Sequence, residues 1–127
     1  MRFGFIDCEF EPTLLMWGDT LDVRYLAFVL ENVSIDTPPI SLAEFGFQSQ
    51  TGHELHLFHC SQGKNGLISF PNKNRFEWHV SKSDIERFKE RLYALARASH
   101  GHQYLESDGD EVTLKVSLNE YPSDYLI

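Results

Sequence analysis

Apolar and polar residues alternate with a period of two over much of this chain and switch to a helical period in two places. Arg2 to Cys8 alternates in part, through Phe3 and Phe5 with Ile6 following, and predicts a first strand. Glu9 to Gly18 is broken by Pro12 and reads as irregular, although it carries the apolar cluster Leu14-Leu15-Met16-Trp17. Asp19 or Thr20 then caps a helix running to about Asn32 on the stripe Val23, Leu26, Ala27 and Leu30. The same residues also alternate tolerably as a strand. Pro38-Pro39 ends this unit.

Strand-like segments follow. Ile40 to Gln48 is apolar and aromatic. Gly52 turns the chain into Glu54 to Cys60, where Leu55, Leu57 and His59 share one face and Glu54, His56 and Phe58 the other. Gln62 to Gly66 is a turn cluster, Leu67 to Phe70 a short strand, and Pro71 to Asn74 another turn. Arg75 to Val80 is a strand with Phe76, Trp78 and Val80 on one face. Short turns between these segments predict an antiparallel meander.

The second helix carries the plainest pattern. Ser83 with Glu86 three residues on forms a capping box, and Ile85, Phe88, Leu92 and Leu95 make its buried stripe over 83–98. Its other face is charged, with Arg87, Lys89, Glu90, Arg91 and Arg97. After Gly101, His102 to Leu105 is extended and Asp108-Gly109 turns. Val112, Leu114, Val116 and Leu118 then face one way along a last strand. These elements predict one α+β domain over residues 1–127, a mostly antiparallel sheet with two helices packed on one face.

A chain of 127 residues with 42% hydrophobic and 24% charged content is ordinary globular material, large enough for one core. No apolar run approaches a membrane span, and the start lacks the apolar segment and cleavage site of a secretory signal. The expectation is a cytoplasmic protein with no membrane partner. Charge then sharpens the picture. Residues 1–54 hold nine acids against two bases, and residues 100–127 hold six acids against Lys115 alone. The middle, 55–99, reverses this with eight bases against four acids. Such a field attracts cationic partners and repels nucleic acid from most of the surface.

Candidate chemistry is sparse. His53, His56 and His59 are spaced by three, which on a strand sends alternate members to opposite faces and prevents convergence on one ion. His56 facing His79, or His100 with His102, lacks an evident third ligand, so no metal is expected. Cys8 and Cys60 lie in apolar strands away from any helix N-terminus; a single bridge between neighbouring strands is geometrically possible, but they read as reduced, structural thiols. No nucleophile elbow or phosphate-cradling loop occurs, and no cofactor is expected. Asp108, Asp110 and Glu111 fall in a glycine-containing turn without the register of a calcium loop. Lys64, Lys73, Arg75, Lys82, Arg87, Lys89 and Arg91 run near Phe76 and Trp78, but the acidic remainder argues against nucleic acid.

Several short stretches carry a resemblance. They are Trp17-Gly18-Asp19 before a helix, Phe76-Glu77-Trp78 before the second helix, and His100-Gly101-His102-Gln103-Tyr104-Leu105 with Val112 to Ser117 and Asn119-Glu120-Tyr121-Pro122. Together they resemble a group of small acidic bacterial proteins, some of which look like immunity proteins of polymorphic or contact-dependent toxin systems. The resemblance implies a non-catalytic cytoplasmic protein that binds and neutralises a toxin domain, often a cationic one. The acids expected to meet such a partner are Asp19, Asp22 and Glu31 around the first helix, Asp108, Asp110 and Glu111 in the turn, and Glu120 and Asp124 near the end. A small enzyme or ligand-binding domain with a histidine- and aromatic-lined pocket is the alternative.

Overall fold

The structure is a computed structural model that describes residues 1–7, 11–60 and 65–126. Its strands and helices are β1 (Arg2–Ile6), β2 (Thr13–Gly18), α1 (Thr20–Glu31), β3 (Ile40–Ser41), β4 (Gln48–Ser49), β5 (Glu54–His59), β6 (Gly66–Phe70), β7 (Arg75–Val80), α2 (Lys82–Ala96), β8 (Gly101–Tyr104) and β9 (Thr113–Leu118). The class is α+β with two helices, as the pattern predicts. The strands form two mixed sheets rather than one mostly antiparallel one, in the orders β4-β1-β2-β9-β8 and β3-β5-β7-β6.

The Leu14–Trp17 run, read above as irregular, is the middle of β2. It pairs antiparallel with β1 and parallel with β9. A strand buried on both faces has no alternation to show, and its apolar residues run together. Leu14 and Met16 face the main core. Leu15 and Trp17 are also buried, and the C-terminal segment covers Trp17. There the Trp17 indole Nε1 donates to the Pro122 carbonyl at 3.0 Å, and the Tyr125 ring meets Trp17 edge-on at 5.8 Å. Tyr121 packs on Tyr125 and lies beneath the Lys115 ammonium.

The expected meander is replaced by a different order. β6 and β7 form a tight antiparallel hairpin, closed by a 3-10 turn over Pro71–Lys73 with Asn74 left-handed. β5 instead pairs parallel with β7, leaving β6 on β7's far side. Only the short connection forces neighbours in sequence to be neighbours in the sheet. The turn cluster expected before β6 and the first strand's predicted end at Cys8 lie partly outside the described residues.

The two sheets are seamed on both sides. On one, β4 runs parallel to β1 and Gly52 (φ 76°) leads the chain on towards β5. On the other, β6 bonds to the turn before β9. Gly109 N–H donates to the Asn65 carbonyl and Glu111 N–H to the Leu67 carbonyl, both at 2.9 Å. Gly66 has φ 146°, and a Cβ there would lie 2.5 Å from the Gly109 carbonyl carbon. That approach requires glycine.

Both helices pack into one apolar cluster with the inner faces of the sheets. α1 lies on β2 and β9, α2 on β8, and the two lie on each other. Phe88 of α2 stacks on Trp78 of β7 at 5.9 Å. α1 is capped by Asp19, whose side chain accepts the Asp22 N–H while Asp22 accepts the Asp19 N–H. α2 runs Lys82–Ala96 rather than 83–98, and its capping box lies two residues earlier than expected. Its box is Ser81 with Asp84, not Ser83 with Glu86. In both helices the shorter aspartate closes the box.

Candidate functional site

A helix lying on a core normally turns charge outward. α1 does so only in part. Val23, Leu26, Ala27, Val29 and Leu30 are buried, yet Leu21 (72% exposed), Tyr25 and Phe28 (56% exposed) follow one another at helical spacing on its outer side. Tyr25 stacks between Phe28, at 6.3 Å, and Phe47, at 5.7 Å, with interplanar angles of 20° and 23°. Phe47 is buried, so it fixes the ridge from beside the helix. Beyond Phe28 the chain returns through Pro38-Pro39 and a 3-10 turn over Leu42–Phe45, which presents Phe45 to solvent. Between them lies a groove of about 510 Å³, lined by Phe28, Val29, Pro38, Pro39, Glu44 and Phe45 among others. Across residues 19–45 there are five acids, Asp19, Asp22, Glu31, Asp36 and Glu44, against Arg24 alone.

The eight acids singled out from the sequence fall into separate local structures. Asp19 and Asp22 cap α1, and Asp22 also accepts the Met1 ammonium at 2.9 Å. Burial works to raise the Asp22 pKa, but the Asp19 N–H and the ammonium outweigh it and hold the group below its usual range. Glu31 sits at the seam with α2, taking the Tyr93 hydroxyl at 2.8 Å and the Lys89 ammonium at 3.3 Å. The Tyr93 hydrogen bond and then Lys89 lower its pKa against a smaller desolvation.

The turn acids do structural work as well. Asp110 accepts the Leu67 and Ser107 N–H groups at 2.7 and 2.9 Å. Its pKa is raised, chiefly by burial, with the Asp84 and Glu106 charges adding to it and the two N–H groups opposing. Glu111 accepts the Ser69 N–H at 3.0 Å. Glu120 accepts the Ser117 hydroxyl and pairs with His102 at 3.1 Å. Asp108 and Asp124 are exposed, and among the described residues neither makes such a bond. A reversal of Asp110 or Glu111 would therefore strip β6 of its anchor and cannot report on binding alone.

Part of the basic stretch is similarly engaged. Arg87 pairs with the buried Asp84 and donates to the Glu106 carbonyl, Arg91 donates to the Tyr104 carbonyl, and Lys89 bridges Glu31 and Glu86. Phe76 and Trp78 are core residues with no free ring face. Lys64 lies outside the described residues.

The histidines are dispersed. His53 accepts or donates at Thr51 Oγ1 (2.7 Å) beside Phe5, and burial lowers its pKa. His56 meets Glu54, and His79 meets Glu77 while stacking on Phe58 at 4.6 Å. The parallel register sets His56 opposite Glu77, not opposite His79. His100 lies before β8, on Ser99, and His102 within it. Among the described residues no three His, Cys, Asp or Glu side chains gather as a metal site. Cys60 is half-buried just past the end of β5, and Cys8 lies outside the described residues.

Sequence reasoning missed Leu21, Tyr25, Phe28 and Phe45. The signal was present: α1 is apolar well beyond the stripe that a core contact uses. No protein-family model matches the chain, and no curated protein matches it.

Proposed function

We propose that this chain is a non-catalytic protein-binding domain that docks a cationic protein on the acid-rimmed apolar ridge of α1. In its sharpest form it is an immunity protein that neutralises a bacterial toxin domain in the cytoplasm. One observation carries the reading: Leu21, Tyr25 and Phe28 stand in water on a helix whose other side already fills a core. Contiguous exposed apolar surface bounded by charge marks interaction sites, and aromatic residues dominate interface energetics. The net charge of −8 adds long-range attraction for a basic partner and speeds its encounter.

The test is affinity capture with the wild-type chain and with Phe28→Ala as a matched control. The reading expects a basic protein held by the wild type and lost from the variant, with association slowing as salt rises. Capture of no protein, or of one that ignores both the substitution and salt, would sink it and favour the ligand-pocket alternative.

A further inference from the structure

We propose that the groove between α1 and residues 37–45 is the anchor pocket of that interface, and that the partner fills it with one bulky apolar side chain flanked by lysine or arginine. The inference rests on the protein-binding reading above and adds the place and the chemistry of recognition. Phe28 and Phe45 form apolar walls, both partly exposed, and Val29 is buried between the groove and the core. A volume of about 510 Å³ falls in the range, roughly 300–1,000 Å³, of sites that enclose most of a small ligand. The groove is preformed. Pro38 and Pro39 have fixed φ, and the residues before them are locked by Thr37 N–H to the Ser34 carbonyl and Ser34 N–H to Thr37 Oγ1, both 3.1 Å. A rim that is already ordered loses little entropy when a side chain enters.

Charge chooses the occupant. Glu44 lines the groove, Asp36 lies on the turn that leads to it, and both are exposed with no salt bridge among the described residues. A second copy of this chain is a poor occupant. A two-fold contact sets a patch against itself and would bring the same carboxylates face to face. A polyanion is repelled for the same reason. A side chain with cationic neighbours satisfies both the apolar walls and the rim.

The probes are two capped tripeptides, acetyl-Lys-Trp-Lys-amide and acetyl-Glu-Trp-Glu-amide, titrated to millimolar concentration into isotope-labelled protein and followed through its amide resonances. The lysyl peptide is expected to shift Phe28, Asn32, Ile40, Glu44 and Phe45, and to bind at least about fivefold more tightly than the glutamyl peptide. Glu44→Lys should reverse that preference without unfolding the chain, because Glu44 is exposed and has no salt bridge among the described residues. Shifts confined to other surfaces, no shift at millimolar peptide, equal affinities, or a concentration-dependent dimer abolished by Phe28→Asp would each overturn the proposal. A captured protein whose footprint lies on residues 106–111 would overturn the groove while leaving the protein-binding reading intact. Peptide binding in the groove with no protein captured would overturn the protein-binding reading and, with it, the groove's role as an interface anchor.

Discussion

Phe88 and Phe28 are both phenylalanines on helices, and the structure gives them opposite fates. Phe88 is fully buried, stacks on Trp78 at 5.9 Å and ties α2 to the second sheet. Truncating it leaves a cavity in the core against Trp78 and should cost about 3–5 kcal/mol. That is a large share of the roughly 5–15 kcal/mol that holds a domain together. At about 3–5 °C per kcal/mol for a chain of this size, Phe88→Ala should melt roughly 10–25 °C below the wild type. Phe28 is 56% exposed and lies outside the core cluster of the described residues, so Phe28→Ala should stay within about 0.5 kcal/mol. Thermal melts by circular dichroism, with urea titrations to confirm an unchanged m-value, measure both. A Phe88→Ala melt within a few degrees of the wild type would remove α2 from the core. A Phe28→Ala melt as low as that of Phe88→Ala would turn the ridge into a packing element and undo the functional reading.

The helix start gives a second comparison: Ser81→Ala should cost about 1 kcal/mol in urea titration, and Ser83→Ala less than half of that. Two aspartates should respond to acid in opposite ways. Burial works to raise the pKa of Asp84, yet hydrogen bonds from Asn65 and Ser81 and the Arg87 charge hold it low, so its stabilisation is present above the unfolded value near 3.9 and fades as pH falls through the folded one. The raised pKa of Asp110 means its contribution is full below that unfolded value and fades as pH rises through the folded one. The cost of Asp84→Ala should therefore shrink on acidification and that of Asp110→Ala should grow, as read from urea midpoints between pH 3 and 7, limits set at about one unit below and three above the unfolded carboxylate value. A matching pH trend for both variants would contradict this assignment. For the C-terminal cover, Trp17→Phe removes the bond to the Pro122 carbonyl and should cost about 0.5–1.5 kcal/mol, with faster chymotryptic cleavage at Tyr121 and Tyr125. Unchanged cleavage would show that the segment is held by other contacts.

Much of the fold was legible because its periods are local. The α2 stripe of Ile85, Phe88, Leu92 and Leu95 and the β9 stripe of Leu114, Val116 and Leu118 are both buried as the spacing predicts. β2 was not legible, because its second cover comes from residues about a hundred positions away and erases the alternation. The parallel β5–β7 pairing was hidden for a related reason: strand order across a longer connection leaves no mark on either strand. At the site, the sequence showed where the acids are but not how they are used. Six of the eight, Asp19, Asp22, Glu31, Asp110, Glu111 and Glu120, accept hydrogen bonds within the chain. A carboxylate serves a backbone N–H as readily as it serves a partner, and composition does not separate the two uses.

Hydrogen–deuterium exchange on the complex with the captured partner reads the contact surface without any substitution. Protection on binding should concentrate in residues 20–45, over α1 and the turn that carries Phe45. Protection centred instead on β8, the 106–111 turn or the outer face of the second sheet, with residues 20–45 exchanging as in the free protein, would contradict it.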